Sequence, residues 1–464
     1  MIKLREYQLE DVQTLVKRAS CGIFNEQRTG KTPTSLAAMN ENTYGNVLIV
    51  ATASMLYKWR DEVITWTDKI PLVYEGSAKK RAHTLSLFKA SKGRMALIVS
   101  YGLLKNTKAY RGIYEELKKC DIRGLIVDEV HRAVGRDTEN FKALRALVKI
   151  PFRYYLTGTP APNHPSQVWS ILTMINPQGF SSYWRFVEEY FVIETIKLPY
   201  SAPVDNIKQP GAFLPGMEDK FVDMLNVHSI MRKRKDVMPW LPKDEPHTKI
   251  RLPLTTYQSR QLYEMQQYFE TDHVIAQGVL DQLLRYRQIC LAPELLGLKG
   301  NSPKIEWLEQ YLKDYPDKQV VIFSKFTTFI KLLQKKIPTM SVLVGETKSS
   351  ERNELISAFQ DGTIPVLTIQ IDVGKEGITL DNADVLIFTD IFPPASDILQ
   401  AKDRIVATSP ERNKPKEIIE LMMADSYDEA LYDIVQHKIE LTDIANNYIQ
   451  YLEGRDSNGI QTRV

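Results

Sequence analysis

The sequence predicts an α/β protein built on two parallel sheets. Short, continuous apolar runs rich in β-branched residues recur along it, amphipathic helical stretches lie between them, and the alternation occurs once in the first third of the 464 residues and again in the last. Runs without a polar alternation suit strands covered by helices on both faces. Strand–helix alternation occurring twice implies two such sheets.

The first set of strands is expected at "NVLIVAT" (46–52), "RMALIVSY" (94–101), "GLIVDE" (124–129) and "RYYLTGT" (153–159). The second is expected at "QVVIFSKF" (319–326), "SVLVGE" (341–346), "PVLTIQI" (365–371) and "DVLIFTD" (384–390). Between them, "SMLYKWRDEVITWT" (54–67) and "SSERNELISAFQDG" (349–362) read as helices, the latter opened by Ser and acidic residues and closed by Gly. Residues 196–220, rich in Pro and Gly, are expected to be an irregular excursion, whereas 255–296 read as helices. The chain thus divides into a first α/β lobe at 1–165, helical and loop insertions at 166–300, a second lobe at 301–445 and a polar, frayed tail at 446–464.

Bulk composition bounds the function. With 43% hydrophobic and 25% charged residues the chain is that of a soluble globular protein. A net charge of +3 permits a nucleic-acid partner without demanding one, because a groove can be locally basic on a near-neutral protein. Cys21, Cys120 and Cys290 lie far apart, which argues against a zinc site or a disulfide framework and fits a reducing compartment. The N-terminus is polar from its third residue, and no apolar run approaches the roughly 18–20 residues of a membrane span. The expectation is a cytoplasmic protein with no membrane partner.

Chemistry enters at "FNEQRTGKT" (24–32). The strict phosphate-loop pattern requires a glycine where Asn25 stands. Even so, Gly30 would let the backbone approach a phosphate, Lys31 would reach the β- and γ-phosphates, and Thr32 could ligate Mg²⁺ ahead of a helix whose N-terminus faces the anion. The tripeptide alone fits a surface turn equally well. "LIVDEVHRA" (125–133) then places Asp128 and Glu129 at the end of a buried strand. Carboxylates there can hold Mg²⁺ (Asp128) and polarise the attacking water (Glu129), the division that phosphoryl transfer requires. The alternative is a solvated acidic turn that caps a helix. "LTGTPAPN" (156–163) offers hydroxyls at a third strand end, as a γ-phosphate sensor or as an ordinary turn. In the second half, glycines flank Glu376 just after a strand, and "SDILQAKDRIVATSP" (396–410) supplies Gln400, Asp403 and Arg404. Arg404 could stabilise charge on a transferring phosphoryl group, or merely pair with Asp403.

Taken in order, these segments resemble the Swi/Snf-like branch of superfamily 2 helicases and DNA translocases, from "LREYQLEDV" to about residue 431. "VATASMLYKWRDEVITW" and "VSYGLL" are similar to its strand-contacting motifs, and "YLTGTPAPNHPSQVWSIL" is the most family-specific stretch. "LRYRQICLAPELL" resembles a segment of this branch, and "DEVH" (128–131) occupies the family's DEAH position. The resemblance implies two RecA-like lobes with helical insertions between them, ATP and Mg²⁺ as cofactors, and DNA as partner. It implies nucleotide contacts from Gln8 (adenine), Arg28, Thr29, Gly30, Lys31, Thr32, Gly374, Glu376, Gly377, Gln400 and Arg404. Thr32 and Asp128 would hold the metal, and Lys31, Asp128, Glu129 and Arg404 would be catalytic. By motif, DNA would be touched by Thr52, Lys58, Ser100, Ser324, Lys325 and Thr347. The basic cluster "MRKRKD" (231–236) would either touch the DNA backbone or form a solvated charged face.

Three departures stand out. Arg28 replaces the family's glycine. Ala407 stands where a second arginine follows the first by three residues, leaving Arg404 or Arg412 to supply its charge. "QIDV" (370–373) replaces Ser-Thr-Arg-Ala. The resulting expectation is a monomeric DNA-dependent ATPase, of bacterial or phage type, that translocates on and remodels or unwinds forked or branched DNA during replication, recombination or repair. An RNA helicase, or a DNA-binding module with a weakened ATPase, is the alternative.

Overall fold

The computed structural model describes residues 3–42, 45–91, 93–108, 110–162, 164–197, 206–241, 247–374, 378–390, 395–407 and 410–433. The tail expected at 446–464 lies outside them. The chain divides into two compact units, the first running to Val237 and the second starting at Met238. This division falls inside the stretch that the sequence assigns to insertions, because strands on either side of it join the two sheets.

The first unit contains β1 (Ser20–Ile23), β2 (Asn46–Ala51), β3 (Ile70–Tyr74), β4 (Met95–Ser100), β5 (Ile122–Val127), β6 (Phe152–Leu156) and β9 (Ser229–Ile230) in one sheet, ordered β3-β4-β2-β5-β6-β1-β9. Every pairing in it is parallel. Strand β2 shows why its run is uniformly apolar: Leu48 and Val50 enter the core on one face, and Val47, Ile49 and Ala51 enter that on the other. Burial on both faces leaves no position for a polar alternation.

The second unit repeats the plan with β10 (His247–Leu252), β11 (Val320–Ser324), β12 (Ser341–Leu343), β13 (Val366–Gln370), β14 (Val385–Phe388) and β15 (Glu417–Met423), ordered β10-β15-β14-β11-β13-β12 and again parallel. Val321 and Phe323 of β11 face one core, and Val320 and Ile322 face the other.

Within the excursion expected at 196–220, the described residues include regular structure. β7 (Phe191–Lys197) and β8 (Asn206–Phe213) form an antiparallel ribbon, and a helix follows at Met217–His228. Pro210 and Gly211 are tolerated because a two-stranded ribbon needs no second ladder on its outer edges. Helices do occupy Thr256–Tyr268 and Val279–Leu291.

Candidate nucleotide-binding site

In an open parallel sheet, ligands bind beyond the carboxyl ends of the strands. The first-unit motifs all lie there: the 24–30 loop after β1, Thr52 after β2, Ser100 at the end of β4, Asp128 after β5 and Thr157 after β6.

The loop ends at Gly30 (φ 79°), and Lys31 opens the helix Lys31–Asn42. At this φ any other side chain would be strained, and a Cβ at Gly30 would also displace the Gln8 amide. Gln8 is buried, and its Nε2 donates to the Thr29 and Gly30 carbonyls at 3.3 and 3.4 Å. Tyr7 adds a bond to the Thr29 carbonyl at 2.8 Å. The helix Glu6–Lys17 thereby braces the loop, and Thr29 closes it by donating to the Glu26 carbonyl at 2.8 Å. Lys31 Nζ folds back to donate to the carbonyls of Asn25 (2.9 Å) and Glu26 (3.0 Å). Thr32, half-buried in the first turn, is placed beside it.

Asn25 has a use of its own. It is buried, and its Nδ2 donates to Asp11 Oδ2 at 2.9 Å, while Arg232 bonds Asp11 Oδ1 at 2.9 Å. Burial pushes the Asp11 carboxyl up, against the Asn25 and Arg232 bonds that lower it. A glycine at 25 would leave that buried carboxylate one donor short. Arg232 and Arg234 of the basic cluster face acids of their own unit, Asp11, Glu10 and Glu26, rather than forming a wholly solvated face.

Asp128 follows β5. Its Oδ2 accepts from Trp59 Nε1 at 2.8 Å and its Oδ1 from the Glu129 N–H at 3.0 Å. Burial and then the adjacent Glu129 push its carboxyl up to about 6, although the Trp59 bond and the Lys31 charge oppose the rise. A carboxylate kept ionised at this cost is what a divalent cation would relieve. Glu129 has φ 48°, and its carboxylate lies 3.2 Å from His131 Nδ1. The same His131 nitrogen is 3.0 Å from Thr157 Oγ1, so the acidic turn and the Thr-Gly-Thr turn are linked directly. Of four non-glycine residues with positive φ among the described residues, Arg28 and Glu129 stand at this site. Strain of about 1–3 kcal/mol per such residue is characteristic of functional sites.

Trp59 and Tyr101 were not expected here. Tyr101 donates to the Asp128 carbonyl at 2.7 Å. Trp59 reads in sequence as core, on one helix face with Leu56 and Val63. Its signal was chemical, since a buried indole N–H requires an acceptor.

Thr52 and Ser100 adjoin each other, because Ala51 pairs with Ser100, and both are buried. Thr52 Oγ1 bonds Ser54, and Ser100 caps the following turn by accepting from the Leu103 N–H. Lys58 is exposed on the helix Leu56–Trp66.

In the second unit Ser324 is one of the residues expected to touch DNA. It is fully buried and donates to Asp390 Oδ1 at 2.8 Å, so its hydroxyl fixes the end of β11. Lys325 Nζ reaches Asp372 at 2.7 Å with both side chains partly exposed. Thr347 Oγ1 accepts from the Val344 N–H at 3.0 Å and shapes its own turn. Gly374 is explained by packing, since a Cβ there would overlap the Phe323 ring. Glu376 and Gly377 lie outside the described residues. Gln400 is buried, and Arg404 donates from Nε to the Gln400 carbonyl at 3.0 Å. Ala407 is buried. Arg412 pairs at 2.9 Å with Asp381, which has no exposed surface.

Residues 7–295 match the family model of the SNF2-related domain, and residues 303–407 match that of the helicase conserved C-terminal domain. The chain is similar to chromodomain-helicase-DNA-binding protein 1-like of Danio rerio, 25% identical over 477 residues that cover 95% of this chain and 44% of that protein. It is also similar to chromodomain-helicase-DNA-binding protein 7 of Homo sapiens, 26% identical over 525 residues covering 99% of this chain and 16% of that protein. The chain therefore spans less than half the length of these relatives. Among solved structures it is similar to the SWI2/SNF2 ATPase core of Sulfolobus solfataricus in complex with dsDNA, 22% identical, covering 99% of this chain and 98% of that chain, with a TM-score of 0.43.

Proposed function

The chain belongs to the SNF2-related family, and on that premise we propose that it is an ATP-driven translocase on double-stranded DNA that remodels forked or branched substrates. The observation that carries the ATPase reading is the meeting of Lys31, Asp128 and Glu129 at one sheet edge, with the Asp128 carboxyl held up to about 6 by burial and by Glu129. Among the described residues, no helix is long and apolar enough to cross a membrane.

The residues fit ATP with Mg²⁺. Thr32 and Asp128 would hold the cation, which when bound neutralises charge on the β- and γ-phosphates. Lys31 exchanges loop carbonyls for phosphate oxygens. Glu129 orients the attacking water, and its contact with His131 ties that orientation to Thr157. Gln8 holds the loop from the adenine side. DNA contacts by a motor must be sequence-independent, since each step presents a new phosphate. Lys58 and Lys325 offer accessible charge for this, with Thr52, Ser100 and Thr347 shaping the turns beside them.

Arg404 is the better candidate for the charge that Ala407 does not provide. Removing Arg412 from its partner would take the cation from the fully buried Asp381, which the Gln360 amide also bonds. Arg404 bonds the backbone carbonyls of Gln400 and Ile378 and stands at the first arginine position of the family's motif. An arginine in this role is worth about 10³–10⁵ in rate. ATPase activity that survives both Arg404→Ala and Arg412→Ala would overturn the idea that either arginine supplies this charge.

The deciding experiment measures ATP hydrolysis with branched DNA, duplex DNA, single-stranded DNA and RNA, alongside strand- and triplex-displacement. Strongest stimulation by branched or duplex DNA is expected. Stimulation by RNA alone would overturn the DNA reading.

A further inference from the structure

Glu26 belongs to the phosphate loop and is also where that loop is tied to the segment through which the chain leaves the first unit. The Phe24 N–H donates to the Ile230 carbonyl at 2.8 Å and the Glu26 N–H to the Arg232 carbonyl at 2.9 Å, extending the β1–β9 pairing past both strands. The Glu26 carboxylate accepts from the Arg234 N–H at 2.7 Å and lies 3.4 Å from Arg234 Nε. The first unit ends three residues later, at Val237.

Two kinds of attachment are combined here. The Asn25–Asp11–Arg232 connection is anchored by an Asp11 side chain only 1% exposed. The Glu26–Arg234 connection is looser, with side chains 37% and 27% exposed. The looser one shares its residue with Lys31, whose ammonium donates to the Glu26 carbonyl at 3.0 Å and the Asn25 carbonyl at 2.9 Å. A phosphate that draws Lys31 away leaves the Glu26 carbonyl with the Thr29 hydroxyl alone of these two donors, while Asn25 stays anchored through its side chain. The freedom so gained falls on Glu26 and, through its carboxylate, on Arg234.

We propose that Glu26 and Arg234 are positioning residues that transmit the occupancy of the phosphate loop to residues 232–237, where the chain passes to the second unit. The pair touches no reacting atom; it acts through Lys31. The inference rests on the ATP-site reading above.

Hydrogen exchange of the wild-type protein tests it without any substitution, with adenylyl-imidodiphosphate and Mg²⁺ as the probe. Exchange is expected to change in peptides spanning 24–34 and 229–237 together. A change confined to 24–34 would overturn the inference, whereas no change in either would overturn the ATP reading beneath it. Arg234→Ala keeps the backbone bond to Glu26 and so retains the fold. In it the 229–237 response and the DNA stimulation of turnover should each fall at least about fivefold, the low end of typical coupling. The KM for ATP should hold within about twofold, and Arg234→Lys should restore most of the stimulation. A KM that rises in step with the lost stimulation would show that the pair only holds the loop, and the proposal would fail.

Discussion

Lys31 opens the helix Lys31–Asn42, and Lys304 is the second residue of the helix Pro303–Asp314. The helix dipole disfavours a cation at either place, so each needs compensation. In the second unit the chain provides it permanently. Lys304 has no exposed surface, and its Nζ donates to Asp428 at 2.6 Å and to the Thr389 carbonyl at 2.9 Å. In the first unit Lys31 is half-buried and donates to two neutral carbonyls, and its charge also acts on the Asp128 carboxyl. The carboxylates repeat the contrast. Asp128 is pushed up to about 6 by burial and Glu129, whereas the His247 bond and the Lys402 charge outweigh burial at Glu420 and hold its carboxyl below the usual range. At these positions the second unit closes its charges with oppositely charged partners, whereas the first leaves Lys31 on backbone carbonyls and Asp128 raised by burial.

The same substitution at the two lysines separates these uses. Lys304→Met leaves Asp428 buried without its cation and should cost about 3–5 kcal/mol of stability, read by urea denaturation. Lys31→Met should cost about 1 kcal/mol, the worth of ordinary hydrogen bonds to carbonyls. Its effect belongs to turnover, which should fall at least about a hundredfold, as when a preorganised donor to a charged transition state is removed. If Lys31→Met destabilised the protein as strongly as Lys304→Met, the contrast would collapse.

What could be read from sequence follows the same line. All eight expected strands are present because strands buried on both faces need unbroken apolar runs, a local signal. β1 escaped because Ser20 and Gly22 interrupt the apolar run in "SCGI", and β9 because it has only two residues. β15 carries Glu420 at its centre, and its partners His247 and Lys402 come from distant segments. No local pattern distinguishes a compensated charge from a strand breaker. At the site, Lys31, Thr32, Asp128 and Glu129, which follow β1 and β5 at the carboxyl ends of the first sheet, were singled out by spacing alone. Arg232 was not, because its acid lies 221 positions away in sequence. Nor was Ser324, whose hydroxyl is claimed by Asp390, 66 positions on.

The raised Asp128 makes a prediction of sign. A carboxyl whose folded value exceeds its unfolded one binds protons better in the folded state, so its penalty is fully present at neutral pH and fades as pH falls. In Mg²⁺-free buffer the first unit should therefore become more stable between pH 7 and 5, on the order of 1–2 kcal/mol. Hydrogen exchange of 122–134, corrected for intrinsic rates, would show this as slower opening. Mg²⁺ with ATP should flatten the trend, since it favours the ionised carboxylate. A trend of opposite sign would mean that Asp128 is already compensated, as the second-unit carboxylates are.

Glu420 should behave in the reverse sense and more weakly. Its folded value lies below the unfolded one, so its contribution is complete above about pH 4.5 and is lost as pH falls through the lower folded value. Acid should then loosen β15 and its neighbours β10 and β14 where Asp128 no longer responds. Glu420→Gln removes that dependence, costing about 1 kcal/mol at neutral pH and flattening the acid limb of an unfolding curve followed in 247–252 and 417–423. Should the variant keep the wild-type acid limb, His247 and Lys402 would not be what stabilises the charge within β15. The second unit's compensation would then have to lie elsewhere, in pairs such as Lys304–Asp428.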